Sequence, residues 1–156
     1  MPDPLEKALR LLALRPRTAQ ELDRALQRSG FPDSSRQSTL ARLRELGYIN
    51  DPQEARARAR KRVDQGDAPR LAAHRLVAQG IGEADARSAA AEAAEGASEE
   101  ELAAAALRRK LRGREPASEG EKRRLLRSLI GKGHRPSAAA RALGIEWDGD
   151  DGIEDG

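Results

Sequence analysis

Three runs of basic side chains in this sequence have the types and spacing to bind anions. The first is Arg56, Arg58, Arg60, Lys61 and Arg62. A guanidinium offers paired N–H donors that match a phosphate or a carboxylate, and it keeps its charge. On a helix, Ala55, Ala59 and Val63 share a buried face, leaving Arg56–Arg60 and Arg58–Arg62 as i, i+4 pairs on the exposed sides. Like charges at that spacing cost about 0.2–0.5 kcal/mol per pair. An anionic partner would relieve that cost; a solvated helix face is the plainer alternative. The second run is Arg108, Arg109, Lys110, Arg112 and Arg114, on a segment that begins with Glu99, Glu100 and Glu101. Acids first and bases last also complement a helix dipole, so structure alone accounts for part of this run. The third is Lys122, Arg123, Arg124 and Arg127, followed by Lys132 and Arg135, with Leu125, Leu126 and Leu129 on the core side. Arg70 and Arg75 lie on one further helix, and Arg15 and Arg17 flank Pro16, where a loop would present them or capping and packing would use them. These groups suit phosphates and carboxylates alike, so the sequence leaves open which meet nucleic acid and which meet protein.

Other chemistry is missing from the pattern. Gly131-Lys132-Gly133 lacks the upstream Gly and the hydroxyl residue of a phosphate loop, and Gly80-Ile81-Gly82 continues to Asp85 rather than Gly. His74 and His134 are far apart in the chain, and each is expected to be a lone surface histidine rather than a metal ligand. No nucleophile–base pair is visible, and the carboxylates cluster in first helical turns, where capping explains them. The expectation is a protein that binds, with no catalytic residues, no metal and no cofactor.

The elements that must position the cations are helices. Ala and Leu dominate the apolar residues, and Phe31, Tyr48 and Trp147 are the only aromatics. No segment alternates β-branched residues, so the fold is expected to be all-α. Boundary signals divide the chain into about nine helices. Leu5, Leu9 and Leu12 share one face of the first, which stops at Arg15-Pro16. Thr18 to Glu21 is a capping box opening the second, which ends at Gly30. The third runs from about Asp33 to Leu46 with Leu40, Leu43 and Leu46 inward, and Gly47 stops it. Asp51-Pro52 is expected as the N-cap and first residue of a helix reaching about Asp64. The next starts near Pro69 and ends at Gly80, and a mostly alanine helix over about 83–95 packs closely or weakly. Ser98 to Glu101 and Ser118 to Glu121 repeat the capping-box pattern, opening helices that end near Arg112 and Gly133, and a short helix spans about 136–143.

A phrase recurs through these helices: Leu26 to Gly30-Phe31, Leu76 to Gly80-Ile81 and Leu129 to Gly133-His134, with glycines 50 and 53 residues apart. A fixed period of this size marks a repeat architecture. Superposition on the glycines aligns Leu22, Ala72 and Leu125, then Leu26, Leu76 and Leu129, then Leu40, Ala90 and Leu143. Three tandem three-helix repeats follow, over residues 1–50, 51–96 and 97–143, each too small to stand alone. Residues 144–156 are expected to be a disordered acidic tail. A row of such units makes an extended surface rather than an enclosed pocket.

The formal net charge of +3 conceals an asymmetry. Residues 146–156 hold six acids and no base, so residues 1–145 carry 29 bases, 24 of them Arg, against 20 acids. A basic body with an acidic end suggests a polyanionic partner or a protein with acidic patches. There is no Cys, the N-terminus is unlike a signal peptide and no apolar run approaches 18 residues, which places the chain in the cytoplasm by default.

At this point the sequence resembles the RecX family. Leu14-Arg15-Pro16-Arg17-Thr18, Glu21-Leu22, Leu26, Gly30-Phe31, Leu43, Leu46-Gly47-Tyr48-Ile49 and Asp51 are similar to its first repeat. Gly66, Pro69-Arg70, Leu76 and Gly80-Ile81 resemble its second. Glu99 to Ala103, Arg109-Lys110, Lys122-Arg123, Leu126, Leu129 and Gly133 resemble its third. The likeness spans about residues 5–143 and lies in the order and spacing of the motifs. It implies an elongated, curved monomer that regulates the RecA recombinase, mainly as an inhibitor. Such a protein binds in the groove of the recombinase filament on single-stranded DNA, with duplex DNA as a further ligand. It restrains filament growth, ATP hydrolysis and strand exchange in DNA repair and recombination, including the SOS response. Two positions depart from the family: Glu54 and His134 stand where aromatics are usual, which thins the apolar contacts at the repeat junctions.

Two other readings compete. Thr18 to Ile49 also fits a winged-helix DNA-binding transcription regulator, whose recognition helix enters the major groove. A wing needs a two-stranded hairpin after Ile49, whereas the chain offers Asp51-Pro52 and an Arg-Ala helix. A helical-repeat adaptor for some other protein is the third. Scarcity of aromatics for base stacking argues against an independent sequence-specific single-strand binder.

Overall fold

The structure is a computed structural model that describes residues 3–149. Its helices are α1 (Pro4–Leu14), α2 (Ala19–Arg28), α3 (Asp33–Glu45), α4 (Asp51–Asp64), α5 (Pro69–Ala78), α6 (Glu83–Ala94), α7 (Glu99–Leu111), α8 (Glu119–Gly131) and α9 (Pro136–Leu143). Among the described residues there is no strand, so the fold is all-α, and α4 stands where a wing hairpin would be.

The recurring Leu-to-Gly phrase is a helix stop. Phe31, Ile81 and His134 donate their N–H groups to the carbonyls of Leu26, Leu76 and Leu129 at 3.2, 3.0 and 3.1 Å. Gly30, Gly80 and Gly133 donate to the carbonyls of Gln27, Val77 and Ile130, each at 3.0 Å. These are the two bonds of a Schellman motif, which needs a left-handed residue between them. The same stop fixes the apolar leucine: Leu26, Leu76 and Leu129 are fully buried, one in each of three core clusters. The first cluster gathers Ala8, Leu22, Leu26, Phe31, Leu40 and Leu43, with Leu5, Leu9 and Leu12 against it. The second is built largely from small residues, Ala55 and Ala59 of α4 against Ala86, Ala89 and Ala93 of α6. The alanine helix therefore packs closely. The third joins Leu107 and Leu111 of α7 to Leu129, Ala139 and Leu143.

Local differences from the expected pattern have physical causes. The N-cap of α4 is Asn50, whose side chain accepts from the Gln53 N–H at 3.1 Å. Asp51 is thereby freed to accept from the Ala19 N–H at 3.1 Å, across the first junction. Thr18 and Ser98 form complete capping boxes. At Ser118 only the hydroxyl half forms, because Glu121 is engaged by Arg114 at 2.6 Å. Leu46 is exposed rather than inward, since it caps α3 beyond the last turn that faces the core. The chain past α9 is ordered further than expected: the Ile145 N–H bonds the Ala140 carbonyl at 2.9 Å and its side chain packs on the third core. Of the tail expected over 144–156, residues 150–156 lie outside the described residues. No helix among the described residues is long and apolar enough to cross a membrane.

The middle unit carries both junctions, and both are polar. At the first, the buried Thr18 hydroxyl donates to the Gln79 carbonyl at 2.8 Å. At the second, the Ala68 N–H donates to the Lys132 carbonyl at 2.8 Å. Start of second helix meets end of the next second helix in each case. His134 is not on the surface: it is 4% exposed, and its Nε2 bonds the Gly66 carbonyl at 2.8 Å. A carbonyl only accepts, so Nε2 carries the proton. The departures at Glu54 and His134 thus add polar contacts at the junctions where apolar ones were expected to thin.

Candidate polyanion-binding cleft

Helix α4 places Glu54, Arg58, Lys61, Arg62 and Gln65 on one stripe, at offsets of three, four and seven residues. Opposite it stand the Arg15-Pro16 turn, Glu21 and Gln79. Together they wall a cleft of about 570 Å³ between the first two units, with Pro16 and Ala57 as its only apolar lining residues.

Arg58 organises this cleft from within. Its Nε donates to Glu54 at 2.7 Å, Nη2 to Glu21 at 2.8 Å and Nη1 to the Gln79 side-chain oxygen at 3.1 Å. A further bond reaches the Pro16 carbonyl at 3.3 Å, and only 15% of the side chain is exposed. Burial alone raises the Glu21 pKa, but the bond from Arg58, the Thr18 N–H and the charges of Arg58 and Arg15 outweigh it and hold the carboxyl below its ordinary value. Burial likewise works against charge on Arg58, and the bonds to Glu21 and Glu54 overcome it. The guanidinium bonds both carboxylates but offsets only one of their two charges; with Arg15, Lys61 and Arg62 on the walls, the lining carries a formal surplus of two positive charges. Lys61 and Arg62 form no side-chain hydrogen bond or ion pair among the described residues. Arg15 makes one long bond to the Pro16 carbonyl, at 3.4 Å.

The other cations lie outside this cleft. Arg56, Arg109, Lys110, Arg112, Arg123, Arg124 and Arg127 are exposed. Arg60 pairs with Glu95 at 2.5 Å, so the expected repulsion along α4 is relieved internally at Arg58 and Arg60. Arg17 is half-buried, with its Nε enclosed and without a hydrogen-bond partner. Arg70 and Lys132 hold the second junction. Arg70 donates to the Gly133 carbonyl at 2.5 Å, and Lys132 to the Gln65 carbonyl at 3.4 Å. Arg75 stands 3.3 Å from Asp67, at ion-pair distance without hydrogen-bond alignment, and Lys132 is 3.8 Å from the same carboxylate. Lys122 lies 3.7 Å from Glu119. Sequence reasoning found the basic residues of the cleft but missed Glu21, Gln65 and Gln79, which no periodicity in α2 or α5 marks. Among the described residues no group of three or more metal-ligating side chains occurs.

Comparison with known proteins agrees with this architecture. Residues 5–43 match the family described as RecX, first three-helix domain. The chain is 34% identical over 157 residues to the regulatory protein RecX of Streptomyces coelicolor, covering 96% of this chain and 83% of that one. It is 34% identical over 143 residues to the regulatory protein RecX of Mycolicibacterium smegmatis, covering 88% and 76%. The crystal structure of RecX from Lactobacillus salivarius superposes with a TM-score of 0.65 at 18% identity, over 90% of this chain and 92% of that one. Near-full-length similarity, the recurring helix stops and the all-α fold agree, and the chain belongs to the RecX family.

Proposed function

We propose that this chain regulates a RecA recombinase, mainly as an inhibitor, by binding in the groove of the recombinase filament on single-stranded DNA. It restrains filament growth, ATP hydrolysis and strand exchange, and it acts by occupancy, with no bond made or broken. The observation that carries this reading is the surplus of cations on a jointed helical frame: Arg15, Arg58, Lys61 and Arg62 line a cleft opposite only Glu21 and Glu54. The relatives' printed names, regulatory protein RecX, support the regulatory role. Three units divided at 50/51 and 96/97 would lie along the groove as one monomer in the cytoplasm, the exposed cations facing phosphates or the carboxylates of the recombinase.

The test is single-stranded-DNA-dependent ATP hydrolysis by the cognate recombinase, titrated with this protein. Inhibition below one molecule per recombinase subunit is expected, weakened by the combined Arg15→Ala, Lys61→Ala and Arg62→Ala substitutions. Undiminished hydrolysis at equimolar protein overturns the reading.

A further inference from the structure

We propose that the cleft at the first junction seats the phosphodiester backbone of a nucleic acid, with the bases turned outward. This rests on the filament reading for the nature of the polyanion, and on the cleft itself for the site. Exposed cations elsewhere, such as Arg108 to Lys110 and Arg123, Arg124 and Arg127, stand along α7 and α8, whereas here four cations share one concavity. Four cations, Arg15, Arg58, Lys61 and Arg62, face two carboxylates, Glu21 and Glu54, in the same lining. Arg58 bonds both acids at 2.7 to 3.3 Å and its single charge offsets one of them, so the lining as a whole keeps a formal surplus of two positive charges for an incoming phosphate. Arg58 is a positioning residue, largely covered by its partners.

Neutral donors complete the seat. The Gln79 side-chain oxygen accepts from Arg58, which leaves its NH₂ group to donate outward. Gln65 stands exposed on the same α4 stripe. The lining offers no aromatic ring for a base to stack on. The cleft therefore fixes a strand by its phosphates and reads no sequence.

The experiment measures binding of fluorescein-labelled oligo(dT) of about fifteen nucleotides by anisotropy, without recombinase, between about 50 and 200 mM salt. A duplex of the same length and polyglutamate serve as competitors. Arg15→Ala, Lys61→Ala and Arg62→Ala are each expected to weaken binding about 3- to 10-fold at low salt, and the triple variant to lose about two of the counterions released. Glu54→Gln removes one acid from the lining while Arg58 keeps Glu21, and is expected to tighten binding, a gain that damage to the fold does not produce. Wild-type affinity and salt slope in a triple variant of native helicity overturn the proposal. So does polyglutamate competing as well as oligo(dT), which makes the cleft a seat for an acidic protein segment. Competition by the duplex equal to that of the single strand supports a phosphodiester seat indifferent to strand number. ATP hydrolysis assayed in parallel separates the two readings. A wild-type protein that spares hydrolysis but needs the three cations for oligo(dT) removes the filament reading and keeps the cleft. Inhibition by wild type, with normal oligo(dT) binding in the triple variant, does the reverse.

Discussion

His134 holds an imidazole N–H against the carbonyl of Gly66, a residue 68 positions away, in a site that is 4% exposed. Burial disfavours its charged form most strongly. The Gly66 carbonyl and the charge of Asp67 oppose that shift, Lys132 and Arg70 add to it, and the pKa settles below its ordinary 6.5. The sign of the consequence follows from proton counting. The unfolded chain takes up a proton near 6.5 while the folded one resists it. This contribution to stability is therefore complete above that value and declines as pH falls through it towards the folded pKa. Glu21 acts in a separate window: its lowered pKa contributes stability above 4.5 that is lost only as pH falls further, through its folded value. The urea midpoint of the wild-type protein is expected to drop between about pH 7.5 and about pH 5.5. His134→Phe, which installs the residue type that Phe31 supplies at the equivalent position, removes most of that drop. It also leaves the Gly66 carbonyl without its donor, at about 1–3 kcal/mol, so the pH slope rather than the absolute midpoint is the readout. An unchanged slope in His134→Phe would assign the acid sensitivity to another group.

The equivalent stops that end α2, α5 and α8 differ in what lies beyond them. Gly30 and Gly133 have nearly the same left-handed backbone, with φ of 91° and 92°. Alanine in that region costs about 1–2 kcal/mol at either site. A Cβ at Gly30 meets nothing within 4 Å, whereas at Gly133 it would stand 2.7 Å from the Leu71 Cβ, with the Leu71 N at 3.4 Å. Gly133→Ala should therefore cost at least about 1 kcal/mol more than Gly30→Ala in urea unfolding, through the second junction being forced apart. Equal losses would show that the junction yields freely. The contrast also marks what a sequence states locally and what it does not. Leu-to-Gly stops and the Thr18 and Ser98 boxes are legible because each is closed by residues three to five apart. Glu54 aside, the partners of Arg58 are not: Glu21 lies 37 residues away, and Gln79 and the Pro16 carbonyl come from two other turns. Nothing in the spacing of Arg56, Arg58, Arg60 and Arg62 distinguishes the one cation that folds inward from its neighbours. His134 and Asp51 are equally opaque, because their partners are set by how one unit seats on the next. The basic stripe of the candidate cleft was legible as charge; its concave shape and the bonds that engage its acids belong to the junction.

At the scale of the whole molecule, charge is divided along the chain rather than averaged. Residues 1–145 carry 29 bases against 20 acids, and the six acids beyond them bring the formal net charge down to +3. Glu146 and Asp148 are exposed, and Trp147 lines a shallow hollow with Ser137 and Arg141 beside α9. Asp150, Asp151, Glu154 and Asp155 lie outside the described residues. Truncation after Gly149 removes those four acids while keeping Ile145 in the third core, and raises the formal net charge to +7. Exposed charges act over about 10 Å at 0.1 M salt and about 3 Å at 1 M. If the acids only offset the basic body at a distance, the truncated protein binds oligo(dT) a few-fold more tightly at low salt. The two proteins then converge as salt rises towards 1 M, with unchanged thermal stability. If the acids compete directly for the cleft, the gain is larger and depends on Arg15, Lys61 and Arg62, so the triple variant loses it. An equal gain in wild type and triple variant favours the long-range effect. No gain at low salt would show that the acids do not weigh on polyanion binding at all.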